Sequence, residues 1–212
     1  EPEWTHEGMH RLVQNIENRI LSLERQGLLQ LNNGIEYCYN GGMSITDQLP
    51  APDFDGSHVR PKDLWGFSTA QSAVAISPEM HDQFVIPYEK RLLKGFGLNA
   101  LACCEPMDDR IDLVRASPNL RRISMSEWVD PVKGAQALGK DFIYSWKPDT
   151  RVHFANWDPD WERSYLRNVL EHTRECVVEI AQLAVNTCRG EVNRLIEWTR
   201  IAREEAMRIE GA

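Results

Sequence analysis

The sequence predicts an α/β fold with a parallel sheet. Five short apolar segments with the character of strands alternate with helical segments, and no hairpin-type turn joins two strands directly. Successive strands separated by helices pair in parallel, whereas antiparallel neighbours are joined by short hairpins. The chain has 212 residues, of which 42% are hydrophobic and 26% charged. This is enough apolar material for one domain, which we place over residues 1–212.

The predicted elements follow from apolar spacing and from residues that start or stop helices. Apolar residues at three- and four-residue steps predict helices at both ends of the chain, and Ser77-Pro78-Glu79 is a helix-start signature. Segment 65–76 is apolar but ambiguous. The predicted strands are 28–34, 99–106, 120–126, 142–146 and 177–187. The predicted helices are 4–26, 77–94, 110–116, 131–138, 160–174 and 191–209.

Five strand–helix units leave two architectures open. A closed (β/α)8 barrel needs eight strands and about 250 residues, so the chain is a piece of a barrel or an open doubly wound sheet. No strand is followed by a GxGxxG or Walker loop, which disfavours a nucleotide-binding open sheet.

Composition excludes some classes of function. With 24 Lys and Arg against 32 Asp and Glu, the net charge of -8 disfavours nucleic acid as a partner. No stretch is long and apolar enough for a membrane span, and the first residues do not resemble an export signal, so we expect a cytoplasmic protein. The five scattered cysteines are expected to be reduced thiols, with Cys38 and Cys176 as small core residues.

Three segments carry a resemblance to a known family. Residues 76–88, ISPEMHDQFVIPY, resemble the helix motif I-S-P-E-x-F-x-E-F-x-x-P-Y, with His81 where an aromatic residue is usual. Residues 102–105 occupy the place of an H-x-C-G motif, with Ala102 for the histidine. Residues 186–193 fill the place of the last strand end, with Cys188. The chain thus resembles the uroporphyrinogen decarboxylase superfamily, and its corrinoid-dependent methyltransferases more than the decarboxylase.

The resemblance implies a fold and an assembly. It matches the last five strand–helix units of a (β/α)8 TIM-type barrel and omits the first three. An open part-barrel would expose strand edges and apolar faces. We therefore expect either a fragment of a longer protein, a homo-oligomer, or a complementing N-terminal chain as partner.

The resemblance also implies a zinc site. Cys104 and Cys188 stand in the positions of the family's thiolate ligands, and both end predicted strands. A catalytic zinc takes three protein ligands and leaves one position open. Because Ala102 replaces the family's histidine, the third ligand is sought in Glu105, with Glu36 and His58 as alternatives. The other interpretation is that both cysteines are core residues; Cys103 is expected in the core, with a Cys103–Cys104 disulfide as an unusual alternative.

Polar and aromatic residues near strand ends are candidates for substrate binding. Reactive residues of parallel barrels lie at the carboxyl ends of the strands, and tryptophans suit a flat or methylated ligand. The alternative is that the asparagines form a turn and the tryptophans pack the core. The candidates are Asn32, Asn33, Trp65, Trp128, Trp146 and Lys147.

Three functions compete. The first is a methyltransferase component that moves a methyl group between a small molecule and a corrinoid protein, with zinc assistance. The second is a tetrapyrrole decarboxylase, which needs a basic floor for several carboxylates. The third is a non-catalytic fragment that completes another chain's barrel. Metal analysis separates the first from the others, and the mass of the native polypeptide separates the third.

Overall fold

The computed structural model describes residues 1–35, 38–39, 42–149, 156–182, 185 and 187–211, and gives only the backbone of residues 38, 39, 42 and 43. The described residues form an α/β fold. Its helices are α1 (Pro2–Arg25), α2 (Pro78–Phe84), α3 (Ile86–Leu93), α4 (Ile111–Arg115), α5 (Pro131–Leu138), α6 (Pro159–His172) and α7 (Asn193–Glu210). Its strands are β1 (Cys38–Tyr39), β2 (Gly42–Met43), β3 (Trp65–Ser68), β4 (Leu98–Leu101), β5 (Leu120–Ser126), β6 (Ile143–Lys147) and β7 (Val177–Ile180).

The main sheet is parallel throughout. Strands β3 to β7 lie side by side in the order of the sequence, and every neighbouring pair is parallel. The separate pair β1 and β2 is antiparallel. A doubly wound sheet reverses its strand order at a switch point. The described strands have no such reversal, so the doubly wound alternative is not the arrangement of this sheet.

Most predicted strands are confirmed, but the first was wrong. The prediction for 120–126 matches β5, and those for 99–106, 142–146 and 177–187 contain most of β4 and β6 and all of β7, with residues 183–184 and 186 outside the described part. Segment 28–34 is not in the sheet, and β3 from the ambiguous segment 65–76 takes its place. The reason is that Asn32 reaches β3 with its side chain instead of pairing through its backbone.

The helices confirm the capping signals. Ser77 accepts a hydrogen bond from the Met80 N–H at 3.2 Å, and Asp130 caps α5 in the same way. The predicted helix 77–94 is interrupted at Val85, where α2 ends and α3 begins. Pro87 has no N–H to continue the hydrogen-bond ladder of α2. No helix in the described part of the chain has the length and apolar character needed to cross a bilayer.

One face of the sheet is apolar, and the other is polar on β5 and β6 but apolar on β3 and β4, where Trp65 and Ala100 belong to a smaller core. On β5, Ile123 and Met125 point to the face that packs under the helices, and this face holds the larger core. Alternation sends Arg122, Ser124 and Ser126 to the opposite face, called here the inner face. The larger core comprises Ile86, Leu93, Leu101, Ala102, Met107, Ile111, Val114, Ile123, Met125, Val129, Leu138, Tyr144, Trp146, Leu166, Val169, Trp198, Ile201 and Ala202.

Candidate functional site

The inner face carries a row of buried polar side chains across three strands. Register places Ser124 of β5 beside Ser145 of β6, and Ser145 beside Glu179 of β7. One step further along the strands, Ser126 lies beside Lys147. Both of these residues end their strands and are almost fully buried. The polar row therefore extends to the carboxyl edge of the sheet, where parallel α/β proteins place their reactive groups.

Hydrogen bonds link this row into a network. The Lys147 ammonium donates to the Ser145 backbone oxygen at 3.2 Å and to the Ser145 hydroxyl. The Ser145 hydroxyl donates to Glu179 Oε1 at 2.5 Å, and Arg122 Nη2 donates to Glu179 Oε2 at 3.0 Å. The Arg122 guanidinium also lies 4.8 Å from the centroid of the Trp65 ring. Two cations and one carboxylate thus share a single buried network.

The network leaves several polar atoms unsatisfied. Arg122 is 2% exposed, yet among the described residues its Nε and Nη1 atoms have no hydrogen-bond partner, and neither has the Ser124 hydroxyl. An unsatisfied buried polar group costs about 1–3 kcal/mol. A buried polar row with spare donors is therefore a candidate binding surface for a polar or anionic ligand.

A second buried cluster lies under α2 and α3. The Ser68 hydroxyl donates to Glu89 at 2.8 Å, and burial, reinforced by the nearby Glu105 carboxylate, raises the pKa of Glu89 to about 7. Both ring nitrogens of His81 are buried without a partner in the described part of the chain, and burial together with the Arg110 charge lowers the pKa of His81. Glu89, His81 and Glu105 line one small cavity. This cluster can store a proton near neutral pH.

Two adjacent thiols follow β4. The sulfurs of Cys103 and Cys104 lie 3.4 Å apart. Cys103 is buried and Cys104 half-buried, and both are free cysteines. Burial and the neighbouring Cys104 thiol raise the pKa of Cys103 to about 12, so Cys103 is a neutral thiol at physiological pH.

The candidate zinc ligands differ in their positions and hydrogen-bond partners. Glu105 accepts the Thr69 hydroxyl at 2.6 Å on one carboxylate oxygen and the Cys103 N–H at 2.5 Å on the other. Cys188 is half-buried beyond β7, His58 lies on an exposed loop, and Glu36 falls outside the described residues. Within the described ranges, no three His, Cys, Asp or Glu side chains cluster as a metal site requires.

The three candidate tryptophans occupy three environments. Trp65 begins β3, is buried, and donates its indole N–H to the Ser44 carbonyl at 2.8 Å. Trp146 packs in the larger core, 5.2 Å from the Tyr165 ring. Trp128 follows β5 and is 58% exposed. These rings do not form the shared aromatic pocket that the sequence suggested, because alternation along a strand and position at opposite strand ends separate them.

The two candidate asparagines bind backbone groups. Asn32 exchanges hydrogen bonds with Trp65, and the Asn33 amide donates to the Leu49 carbonyl at 2.7 Å. Both contacts lie near the start of β3, at the sheet end opposite to Lys147. Among the substrate-binding candidates, Lys147 is the residue that lies in the polar row of the inner face.

Sequence analysis missed Arg122, Glu179 and Glu89. A signal existed for each. Arg122, Ser124 and Ser126 alternate with Ile123 and Met125 in β5, and Glu179 lies between Val178 and Ile180 in β7, which is the pattern of a two-faced strand. Glu89 stands three residues after Ile86 and four before Leu93, on the helix stripe that both buried residues define.

Comparison of the chain with protein-family models, with curated proteins and with solved structures found no match. The description of the fold and of the polar inner face is therefore based on the structure of this chain alone. Any link to the uroporphyrinogen decarboxylase superfamily rests on the motifs of the sequence alone.

Proposed function

We propose that the chain forms the last five strand–helix units of a (β/α)8 barrel of the uroporphyrinogen decarboxylase superfamily. The support for a barrel is topological, and the support for the family is the set of sequence motifs. Five parallel strands stand in sequential order and each is followed by at least one helix, as successive barrel units are. The family-like motif of residues 76–88 lies on α2 and the start of α3, with Ser77 as the helix cap.

We further propose that this barrel portion takes part in methyl transfer between a small molecule and a corrinoid protein. The observation that carries the proposal is the buried polar row on the inner face, which ends at Lys147 on the carboxyl edge. The inner face of a barrel at this edge is where substrates bind. A buried cation there favours an anionic acceptor, such as a thiolate, over its neutral form.

Zinc assistance has less support from the residues present. Cys104 and Cys188 are the residues that would hold the ion, which would act there as a Lewis acid. Among the described residues, Glu105 does not gather with the two cysteines into a set of three possible ligands. Two thiolates leave a catalytic zinc one protein ligand short. The proposed methyl transfer therefore includes no step that passes through the metal.

One observation favours the tetrapyrrole decarboxylase as a second candidate. Arg122 and Lys147 place two cations on the same inner face, and a ligand with several carboxylates needs several cations to bind them. Both cations are nevertheless engaged, Arg122 with Glu179 and Lys147 with Ser145. The partly satisfied network suits a ligand with one anionic group better than one with many.

A methyl-transfer assay tests the proposal. The full chain is incubated with methylcob(III)alamin, which stands in for the corrinoid protein, and a small thiol, and loss of the methyl group from cobalt is followed by absorbance. We expect a rate that depends on protein, and a loss of about tenfold or more in Lys147→Met, equivalent to about 1.4 kcal/mol. Lys140→Met is the control, because Lys140 is exposed just after α5.

The assay also separates the alternatives. A rate that does not depend on the protein contradicts methyl transfer. Release of carbon dioxide from a carboxylated tetrapyrrole, reduced in Arg122→Met, would support the decarboxylase instead. The fold of each variant is checked by circular dichroism before the rates are compared.

A further inference from the structure

Cys103 and Cys104 form a preformed pair of thiols. Their sulfurs are 3.4 Å apart in the bend that follows β4, where Ala102 has a positive φ of 66°. The Glu105 carboxylate holds this bend by accepting the Cys103 N–H. Since Ala102, Cys103 and Glu105 are all buried, the position of the pair is fixed by the core of the protein.

The sulfur separation indicates what the pair can bind. A disulfide needs the sulfurs at about 2.05 Å, so the pair would have to close by about 1.4 Å inside a strained ring of adjacent residues. A single atom bridging the sulfurs with bonds of about 2.3 Å needs no closure, and its S–X–S angle is about 95°. The thiols are therefore spaced for a one-atom bridge.

The angle also selects the bridging atom. A two-coordinate linear ion needs its sulfurs on opposite sides, and a tetrahedral ion takes a wider angle and further ligands. Trivalent arsenic is pyramidal, with bond angles slightly above a right angle, and it prefers sulfur to oxygen. We propose that Cys103 and Cys104 form a vicinal dithiol site for a trivalent arsenical.

The binding reaction balances without an oxidant. A hydrated organoarsenical carries two As–OH groups, and each thiol replaces one of them. Two As–O bonds and two S–H bonds break, two As–S bonds form, and two water molecules leave. Arsenic stays trivalent and both sulfurs keep their oxidation state.

The difference in exposure between the two thiols sets the order in which the two As–S bonds form. The half-buried Cys104 forms the first As–S bond, and the buried Cys103 closes the ring from 3.4 Å away. The second step is intramolecular, so the pair binds far more tightly than one thiol.

The site is independent of the proposed methyl transfer and can be separated from the zinc proposal. A shared zinc requires Cys104 and Cys188, whereas the arsenical requires Cys103 and Cys104. Cys103→Ser and Cys188→Ser thus report on different sites, although both proposals use Cys104. Cys176→Ser is a further control, because the Cys176 thiol contacts the carbonyl of Ala135 on α5 and belongs to neither proposed site.

The test uses phenylarsine oxide and intact-protein mass spectrometry under reducing conditions. We expect one arsenical per native chain, retained in excess monothiol and removed by a small dithiol. Cys103→Ser and Cys104→Ser lose the monothiol-resistant adduct, while Cys176→Ser and Cys188→Ser keep it. Absence of the adduct from the wild-type chain, or its loss in Cys188→Ser with retention in Cys103→Ser, overturns the proposal.

A second measurement does not depend on how the variants fold. The wild-type chain is treated with phenylarsine oxide and then with a maleimide, and the labelled cysteines are mapped by peptide mass spectrometry. Protection of Cys104 relative to a chain that received no arsenical, with Cys188 still labelled, supports the site. Labelling of Cys104 in the presence of the arsenical overturns it.

Discussion

Asn32 and Trp65 exchange two hydrogen bonds. The Asn32 side-chain nitrogen donates to the Trp65 carbonyl at 3.0 Å, and the Trp65 backbone N–H donates to the Asn32 side-chain oxygen at 2.9 Å. One amide side chain therefore takes the place of a neighbouring strand at the first residue of β3. The contact ties the segment after α1 to the edge of the sheet.

The first prediction concerns this contact. Asn32→Ala leaves both backbone groups of Trp65 without their partner, so we expect the free energy of unfolding to fall by about 2 kcal/mol in urea titrations. Asn18→Ala, at an exposed position of α1, is the control and should change it by less than about 0.5 kcal/mol. Equal effects of the two substitutions would show that the Asn32 contact does not stabilise the edge.

The second prediction concerns the pH dependence from Glu89. Burial raises its pKa from 4.5 to about 7. Between these values the folded chain keeps a proton that the unfolded chain releases, so stability falls as the pH rises through this window and levels off above it. Glu89→Gln removes this dependence and retains an acceptor for Ser68. We expect it to be more stable than wild type by about 3 kcal/mol at pH 8, and similar to it below pH 4.5.

Urea titrations at pH 5 and pH 8 check this difference. Glu3→Gln, at an exposed position in the first turn of α1, provides the matched loss of a carboxylate. If Glu89→Gln lowers stability at pH 8, the buried carboxyl is ionised and stabilising, contrary to its raised pKa.

The third prediction concerns Glu205, which joins α6 to α7. Its carboxylate accepts from Arg167 at 2.9 and 3.1 Å, from Arg163 at 2.8 Å and from Arg208 at 3.0 Å. These partners hold the pKa of Glu205 at about 2. The carboxylate's contribution is complete above the ordinary value of 4.5 and is lost as the pH falls toward 2.

We therefore expect Glu205→Gln to lower the free energy of unfolding by about 2 kcal/mol at pH 7, less than the pKa alone implies because the arginines are partly exposed. The difference should shrink as the pH approaches 2. Denaturant titrations across this range measure it, with the exposed Glu191→Gln as control. A difference that is constant with pH would mean that packing, not charge, is lost.

The fourth prediction concerns association. Among the described strands, β3 and β7 each have one strand neighbour in the main sheet, and Val177 at the start of β7 is 44% exposed. Unpaired edges favour pairing with another chain. We expect light scattering at micromolar concentration to give a mass above that of one chain, and Val177→Lys to lower it. A monodisperse wild-type monomer would contradict this expectation.

Secondary structure was predictable where the sequence contains residues that start or stop helices and strands. β5 and α5 match the predicted bounds, because an alternating strand is followed by an aspartate cap and a proline. Segment 28–34 failed because a short apolar run has no period that separates a strand from a loop, and the amide of Asn32 imitates strand pairing. The same ambiguity hid β3, which has only four residues.

The candidate site was less predictable than the fold. Lys147 was found from its place at a strand end, but Arg122 and Glu179 were not, because charged residues are expected at the surface. Their pairing across β5, β6 and β7 depends on strand register, which no local pattern gives. The tryptophans were proposed for a pocket because they lie near strand ends, with core packing as the alternative, and alternation along the strand sends Trp146 into the core.

Hydrogen exchange tests most directly whether a ligand binds at the inner face. Exchange of the wild-type chain is measured by mass spectrometry with and without methylcob(III)alamin and the small thiol acceptor. We predict slower exchange in residues 124–128, 145–149 and 177–182, which surround the polar row, with no change in α1. Unchanged exchange throughout, or protection confined to α1 and α2, would contradict the claim that the inner face is the site.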